Sequence, residues 1–353
     1  MLQKYSVCKD EQWYLAWPDV ALTKSGKLVC VFSECTHHGD RSYTRIMLCD
    51  SNDRGRTWGP KRPLSDAKHR KSESDLFWNC ARITALKDGR LVAVCDLVAG
   101  GKEGSSKGGI QSNWIWISDD EGKTWTPPRE IPVTGIVPDK VIELNNGDWI
   151  VSAHTALDNG DGGVYKERAW ITDDKGITWS GPFTIAAVKD LMLCEGSVMQ
   201  CPDGTLACFM RENSGRGLDC YKSISHDGGR TWEGPYQFPL PGCHRPVAGM
   251  LADGAAVLIT HRFMQGGKGW LGSWTQNFFA AFTDVPSALA VKRNDAWTRI
   301  FPIDYDRSAK TDLGYSGWVQ FDDGEIYIVN YIVDDWPRGQ IRGYSLSKKD
   351  YLL

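Results

Sequence analysis

Four side chains of this sequence form a set able to handle a small anion: Glu195, Arg211, Arg245 and Tyr315. Two guanidiniums offer bidentate hydrogen bonds to a carboxylate. A glutamate beside a phenol can draw its proton and raise the nucleophilicity of the oxygen. The four fall at fixed offsets in a repeating pattern. Nine residues before a recurring turn glycine stand Trp17, Cys80, Pro138, Glu195, Arg245 and Tyr315. Within one or two positions of these are Asp19, Asn79, Arg82, Asp139, Lys140 and His244. Seven residues after the same glycine stand Ser33, Asp96, His154, Arg211, His261 and Tyr331, each preceded by an apolar strand. The pattern predicts a polar ring at one face of the fold, where a site forms.

Two independent repeats define the elements that carry these residues. The first is a hairpin, an apolar strand, a turn ending in Gly and a second apolar strand, centred on Gly26, Gly89, Gly147, Gly204, Gly254 and Gly324. Asp-Gly and Asn-Gly between β-rich runs signal a tight hairpin because the turn needs positive φ. Six copies, 50 to 70 residues apart, predict six blades of about four strands. The second repeat is S/T-x-D-x-G-x-T-W, at Ser51, Ser118, Thr172 and Ser225, each 21 to 29 residues after its hairpin glycine. Its chemistry is that of a turn: Asp accepts backbone N–H groups, Gly takes a left-handed conformation and Trp covers the strand below. The fold expected is all-β, one six-bladed β-propeller domain over residues 1–353, in which the first strand of each blade lines the central channel. The Gly-rich stretch from Gly100 to Gly109 reads as a surface loop of blade two.

Composition narrows the function classes. A net charge of −3 with interspersed signs gives no electrostatic footprint for nucleic acid or an anionic membrane. No apolar run is long enough to span a bilayer, and the N-terminus lacks the apolar core of a signal peptide. The 11 Cys show no paired spacing, which fits buried free thiols and a cytoplasmic setting. His37 and His38 with Glu34 and Asp40 match no recognised metal-ligand spacing, so no metal and no cofactor is expected. Trp270 and Trp274, in a Gly-rich segment, can stack on a sugar or pack on the surface.

On the repeats and on the stretch from Glu195 to Asn213, EGSVMQCPDGTLACFMREN, the chain resembles the sialidase (neuraminidase) superfamily, whose members are six-bladed propellers marked by these Asp-boxes. The resemblance implies that Glu195 activates a tyrosine and that Arg211, sixteen residues on, binds a carboxylate. It implies the same carboxylate role for Arg245 in CHRPVAG, and the nucleophile's role for Tyr315 in LGYSGWVQFDDG. The family's acid comes from the loop after blade one's hairpin, where Asp40 is the only aspartate and His37 and His38 are rival acids. The chain departs from the family at Ala16, where an arginine of the carboxylate-binding triad is expected; Arg82 and Lys140 are possible substitutes. The implied activity is that of a retaining exo-glycosidase on a terminal acidic sugar. Asp96 and His37 read as further substrate contacts, and His154 and His261 as sugar-hydroxyl ligands or structural hydrogen-bonders. Another exo-glycosidase or a polysaccharide lyase on the same scaffold, and a glycan-binding propeller without turnover, are the alternatives.

Overall fold

Alternating apolar runs separated by turns that end in Gly build six antiparallel sheets in a computed structural model, which describes residues 2–99, 111–155, 164–266 and 274–351. The fold is all-β, a six-bladed β-propeller; among the described residues the helices are two short ones, Val285–Leu289 and Lys348–Tyr351, and one 3₁₀ turn, Arg293–Asp295. The stretch from Gly100 to Gly109 and Trp270 lie outside the described residues.

Every hairpin glycine has positive φ, from 69° at Gly254 to 100° at Gly89, a conformation that glycine adopts without steric cost. The four Asp-boxes fold as their sequence predicts. In the first, Asp53 accepts from the Thr57 N–H at 2.9 Å and from its hydroxyl at 2.6 Å, while Ser51 Oγ accepts from Gly55 N at 2.8 Å. Trp58 Nε1 closes the turn on the Gly55 carbonyl at 3.2 Å. The same bonds recur around Asp120, Asp174 and Asp227.

The chain forms two compact units, one of residues 1–130 with 306–353 and one of residues 131–305. In the first, blade one (Tyr14–Leu22, Leu28–His37, Asp40–Ser51, Arg62–Pro63) packs on blade two (Phe77–Ala85, Leu91–Val98, Gln111–Ser118) through Val29, Val31, Ile46, Trp78 and Trp116. The same unit holds Leu313–Gln320, Ile326–Ile332 and Gln340–Leu346 of blade six, and the sheet is completed by Gln3–Cys8 from the N-terminus. That closing strand was not expected, because it has no hairpin glycine of its own. Strand Arg129–Thr134 carries the chain into the second unit. There blades three (Ile142–Glu143, Trp149–Thr155, Lys166–Thr172, Ser180–Ala187) and four (Leu193–Gln200, Leu206–Glu212, Asp219–Ser225, Glu233–Pro241) share a core of Ile150, Ile171, Val198 and Leu206. Blade five (Cys243–Met250, Ala256–Gly266, Trp274–Asp284, Arg299–Tyr305) packs on blade four through Phe209, Phe238 and Ile259. All 11 cysteines are free, and ten of them are buried.

Candidate active site

The offset of nine residues before the turn glycine marks a backbone irregularity as well as a sequence position. In five of the six blades the pairing of the first and second strands breaks there, between Ala16 and Asp19, Trp78 and Ala81, Cys194 and Ser197, His244 and Val247, and Leu313 and Ser316. At three of these bulges a non-glycine residue is left-handed: Trp17 (φ 53°), Glu195 (53°) and Arg245 (49°). Such a conformation costs about 1–3 kcal/mol per residue and re-aims the side chain. Residues near the end of the second strand then cap the N–H groups the bulges expose. Asp96 accepts from Cys80 N at 2.8 Å and from Asn79 Nδ2, His154 Nδ1 accepts from Glu195 N at 3.3 Å, and Asn330 Oδ1 accepts from Gly314 N at 2.8 Å. The recurring polar offset therefore has a structural task at Asp96 and His154.

In the second unit Glu195 is 5% exposed and Arg211 Nη1 lies 2.7 Å from its Oε1, while Arg211 Nη2 donates to Asn213. Arg245 is wholly buried and donates to the carbonyls of Pro138 (3.0 Å) and Gly196 (3.4 Å). Burial, together with the neighbouring guanidiniums of Arg245 and Arg211, holds His154 down to about 4 against the pull of Glu195. His261 is likewise lowered by burial to about 4, and its ring meets Phe279 edge-on. Beneath Glu195, the buried Glu167 accepts from Gly196 N at 3.1 Å, and burial pushes its carboxyl up to about 8.

In the first unit Tyr315 is 9% exposed and its ring meets Tyr331 edge-on with centroids 6.3 Å apart. Three residues earlier, Asp312 receives Tyr14 Oη (2.5 Å), Tyr331 Oη (2.7 Å) and His38 Nδ1 (2.5 Å). Burial alone raises a carboxyl's pKa, but the His38 charge and these three bonds outweigh it and hold Asp312 at about 2. The Trp17 ring sits between His38, edge-on at 5.2 Å, and the Arg41 guanidinium, 3.8 Å from its centroid. Asp40 is exposed and accepts Ser42 N at 2.9 Å, closing its own turn; His37 is exposed beside Tyr14. Arg82 is buried, 3.3 Å from Asp19, and donates to the Ser316 carbonyl at 2.8 Å; Ala16 is fully buried and Lys140 half-buried.

Residues 20–328 match the family described as BNR repeat-like domain. The chain belongs to that family. This BNR repeat-like chain is similar in fold to a Dyadobacter fermentans protein of unknown function, at 20% identity and a TM-score of 0.75, over 98% of this chain and 99% of that one. It is similar to the Hadza microbial sialidase Hz136 at 16% identity and a TM-score of 0.70, over 95% of this chain and 66% of that one. It is also similar to a Penicillium chrysogenum α-L-arabinanase complexed with arabinobiose, at 13% identity and a TM-score of 0.65, over 98% of both chains.

Sequence reasoning missed Asp312, Tyr14 and Arg41 in the first unit of this BNR repeat-like chain, and Glu167 in the second. Asp312 left one signal, a carboxylate three residues before Tyr315 in KTDLGYSG. Glu167 left none, since it sits in an ordinary alternating strand and its depth depends on the packing of Gly196.

Proposed function

We propose that the chain is a retaining glycosidase that removes a terminal acidic sugar, with Tyr315 as its nucleophile. The observation that carries the reading is Glu195. Its carboxylate is buried, its backbone is left-handed, and Arg211 pairs with it at 2.7 Å. A buried ion pair is a poor source of stability and left-handed backbone costs energy, and the two together at one residue support a working site there. In the reaction, the Tyr315 oxygen bonds to the anomeric carbon as the glycosidic C–O bond breaks and the leaving oxygen takes a proton. Water then displaces the phenol, so configuration is retained. A tyrosine suits a sugar whose reacting carbon bears a carboxylate, because a neutral nucleophile is not repelled by it; tyrosine is the nucleophile of sialidases. The sialidase among the fold neighbours supports the class of reaction, not its substrate.

A second reading, a glycosidase for a neutral sugar, is favoured by the state of the arginines. Arg245 and Arg82 donate to backbone carbonyls, Arg211 pairs with Glu195, and Ala16 offers no charge. The arabinanase among the fold neighbours is consistent with it. A panel of aryl glycosides of acidic and neutral sugars separates the two. The first reading expects turnover of acidic glycosides alone, abolished by Tyr315→Phe and by Glu195→Gln in folded protein. Full activity in either variant would overturn it.

A further inference from the structure

We propose that His38, with Nδ1 held by Asp312, is the proton donor and acceptor of this reaction, in the place where the resemblance put Asp40. The proposal rests on the glycosidase reading above and names a residue that reading leaves unassigned.

The geometry is that of an oriented imidazole. His38 lies in the turn joining Leu28–His37 to Asp40–Ser51, and Asp312 precedes the strand Leu313–Gln320 that carries Tyr315. With a carboxylate as acceptor, the proton of the 2.5 Å contact sits on Nδ1. Asp312 is itself fixed by the Tyr14 and Tyr331 hydroxyls, so it can turn neither its oxygens nor the ring they hold. The His38 backbone is fixed as well: its carbonyl accepts from Arg41 Nε at 3.1 Å, and Arg41 stacks on the Trp17 ring that the imidazole also meets. Among the described residues only Nδ1 takes part in a hydrogen bond, and the side chain is 34% exposed. Nε2 is therefore the atom presented to a ligand. Base, orienting carboxylate and support thus stand in the order that general acid–base catalysis needs, with the carboxylate of Asp312 three residues before the nucleophile in sequence. Asp40, by contrast, turns its carboxylate to its own backbone.

The steps balance. The His38 imidazolium gives its Nε2 proton to the leaving oxygen as the glycosidic C–O bond breaks and the Tyr315 O–C bond forms. The phenolic proton of Tyr315 passes to a carboxylate. Neutral His38 then takes a proton from the water that attacks the anomeric carbon, the Tyr315 O–C bond breaks, and the phenolate recovers its proton. Asp312 and Arg41 are positioning residues. The charged and titratable groups facing His38 are Asp312, Tyr14, Tyr331, Arg41 and the neighbouring His37.

The test uses the full chain and two glycosides of the acidic sugar, one with a nitrophenol leaving group and one with an alkyl alcohol. Only the poor leaving group needs the proton. His38→Gln should therefore lower kcat/KM on the alkyl glycoside about 10²-fold or more and on the nitrophenyl glycoside less than tenfold, with KM little changed. Asp312→Asn, which keeps the ring and removes the charge that favours imidazolium, should move the alkaline limb of the kcat/KM profile to lower pH. A merely structural role would lower both substrates equally and leave the limb in place. Equal losses in His38→Gln, or a leaving-group-dependent loss in Asp40→Asn that exceeds the one in His38→Gln, would overturn the proposal alone. A folded wild-type chain that turns over neither glycoside would overturn the glycosidase reading and the proposal with it. If His38→Gln does not fold, the limb in Asp312→Asn decides.

Discussion

Removing Arg211 while leaving Glu195 in place is the sharpest structural test of the second unit. The two side chains are mostly buried and their charges are 2.7 Å apart. At an effective dielectric of ~20 their gross attraction is about 6 kcal/mol, most of it offset by the cost of desolvating both groups. Deleting one partner forfeits the attraction and leaves the other charge buried, a loss of about 3–5 kcal/mol. Arg211→Met should therefore cost about that much, and the double variant with Glu195→Gln should recover part of it, because no charge is then left unpaired. An unfolding entropy of about 2.1 cal/mol/K per residue gives roughly 0.74 kcal/mol/K for the 353-residue chain, so its Tm should fall by about 4–7 °C. The fall is about twice that if residues 131–305 melt by themselves. Calorimetry at neutral pH on the wild type, both single variants and the double variant closes the cycle. A Tm for Arg211→Met within 1 °C of wild type, or a double variant less stable than Arg211→Met, would refute the claim that each of these buried charges depends on the other for its compensation.

Other outcomes follow from the blades. The Asp-box carboxylates of Asp53, Asp120 and Asp174 are held at about 2, first by the Thr side chain four residues on; that of Asp227 is also held at about 2, its Thr231 and Ser225 bonds outweighing burial. Because these folded pKa values lie below the ordinary aspartate value near 3.9, their contribution is complete above pH ~4 and lost as pH falls through 2. Acid titration of Tm should show a decline in that window, and Asp53→Asn should flatten it; an unchanged slope would contradict the turn chemistry. Gly196→Ala would put a Cβ 2.7 Å from the Glu167 carboxyl carbon and 2.9 Å from Cys208 Sγ, so it should destabilise by about 1–3 kcal/mol in urea melts. Deleting residues 1–8 removes the strand paired with Gln340–Leu346 and bares a sheet edge, so the shortened chain should aggregate on heating at lower temperature than the full one in light scattering.

The blades were legible because antiparallel pairing ties every strand residue to its turn. Counting back nine from Gly26, Gly204 and Gly254 lands on Trp17, Glu195 and Arg245, the three left-handed bulge residues. The count finds where a side chain sits, not what it touches. It could not separate a guanidinium open to a ligand from Arg82 and Arg245, whose donors meet carbonyls of Ser316, Pro138 and Gly196. It could not see Asp312 either, since that residue precedes its strand and its partners Tyr14 and His38 come from 298 and 274 positions away. The closing strand Gln3–Cys8 was hidden for a similar reason: its partner is the other end of the chain.

Covalent trapping tests the central claim most directly. A fluorinated acidic glycosyl fluoride, which forms the glycosyl-enzyme and slows its release, should add one sugar mass to the intact protein. Peptide mapping should place that mass on Tyr315, and Tyr315→Phe should stay unlabelled. A label on any other residue, or steady turnover by Tyr315→Phe, would contradict the account.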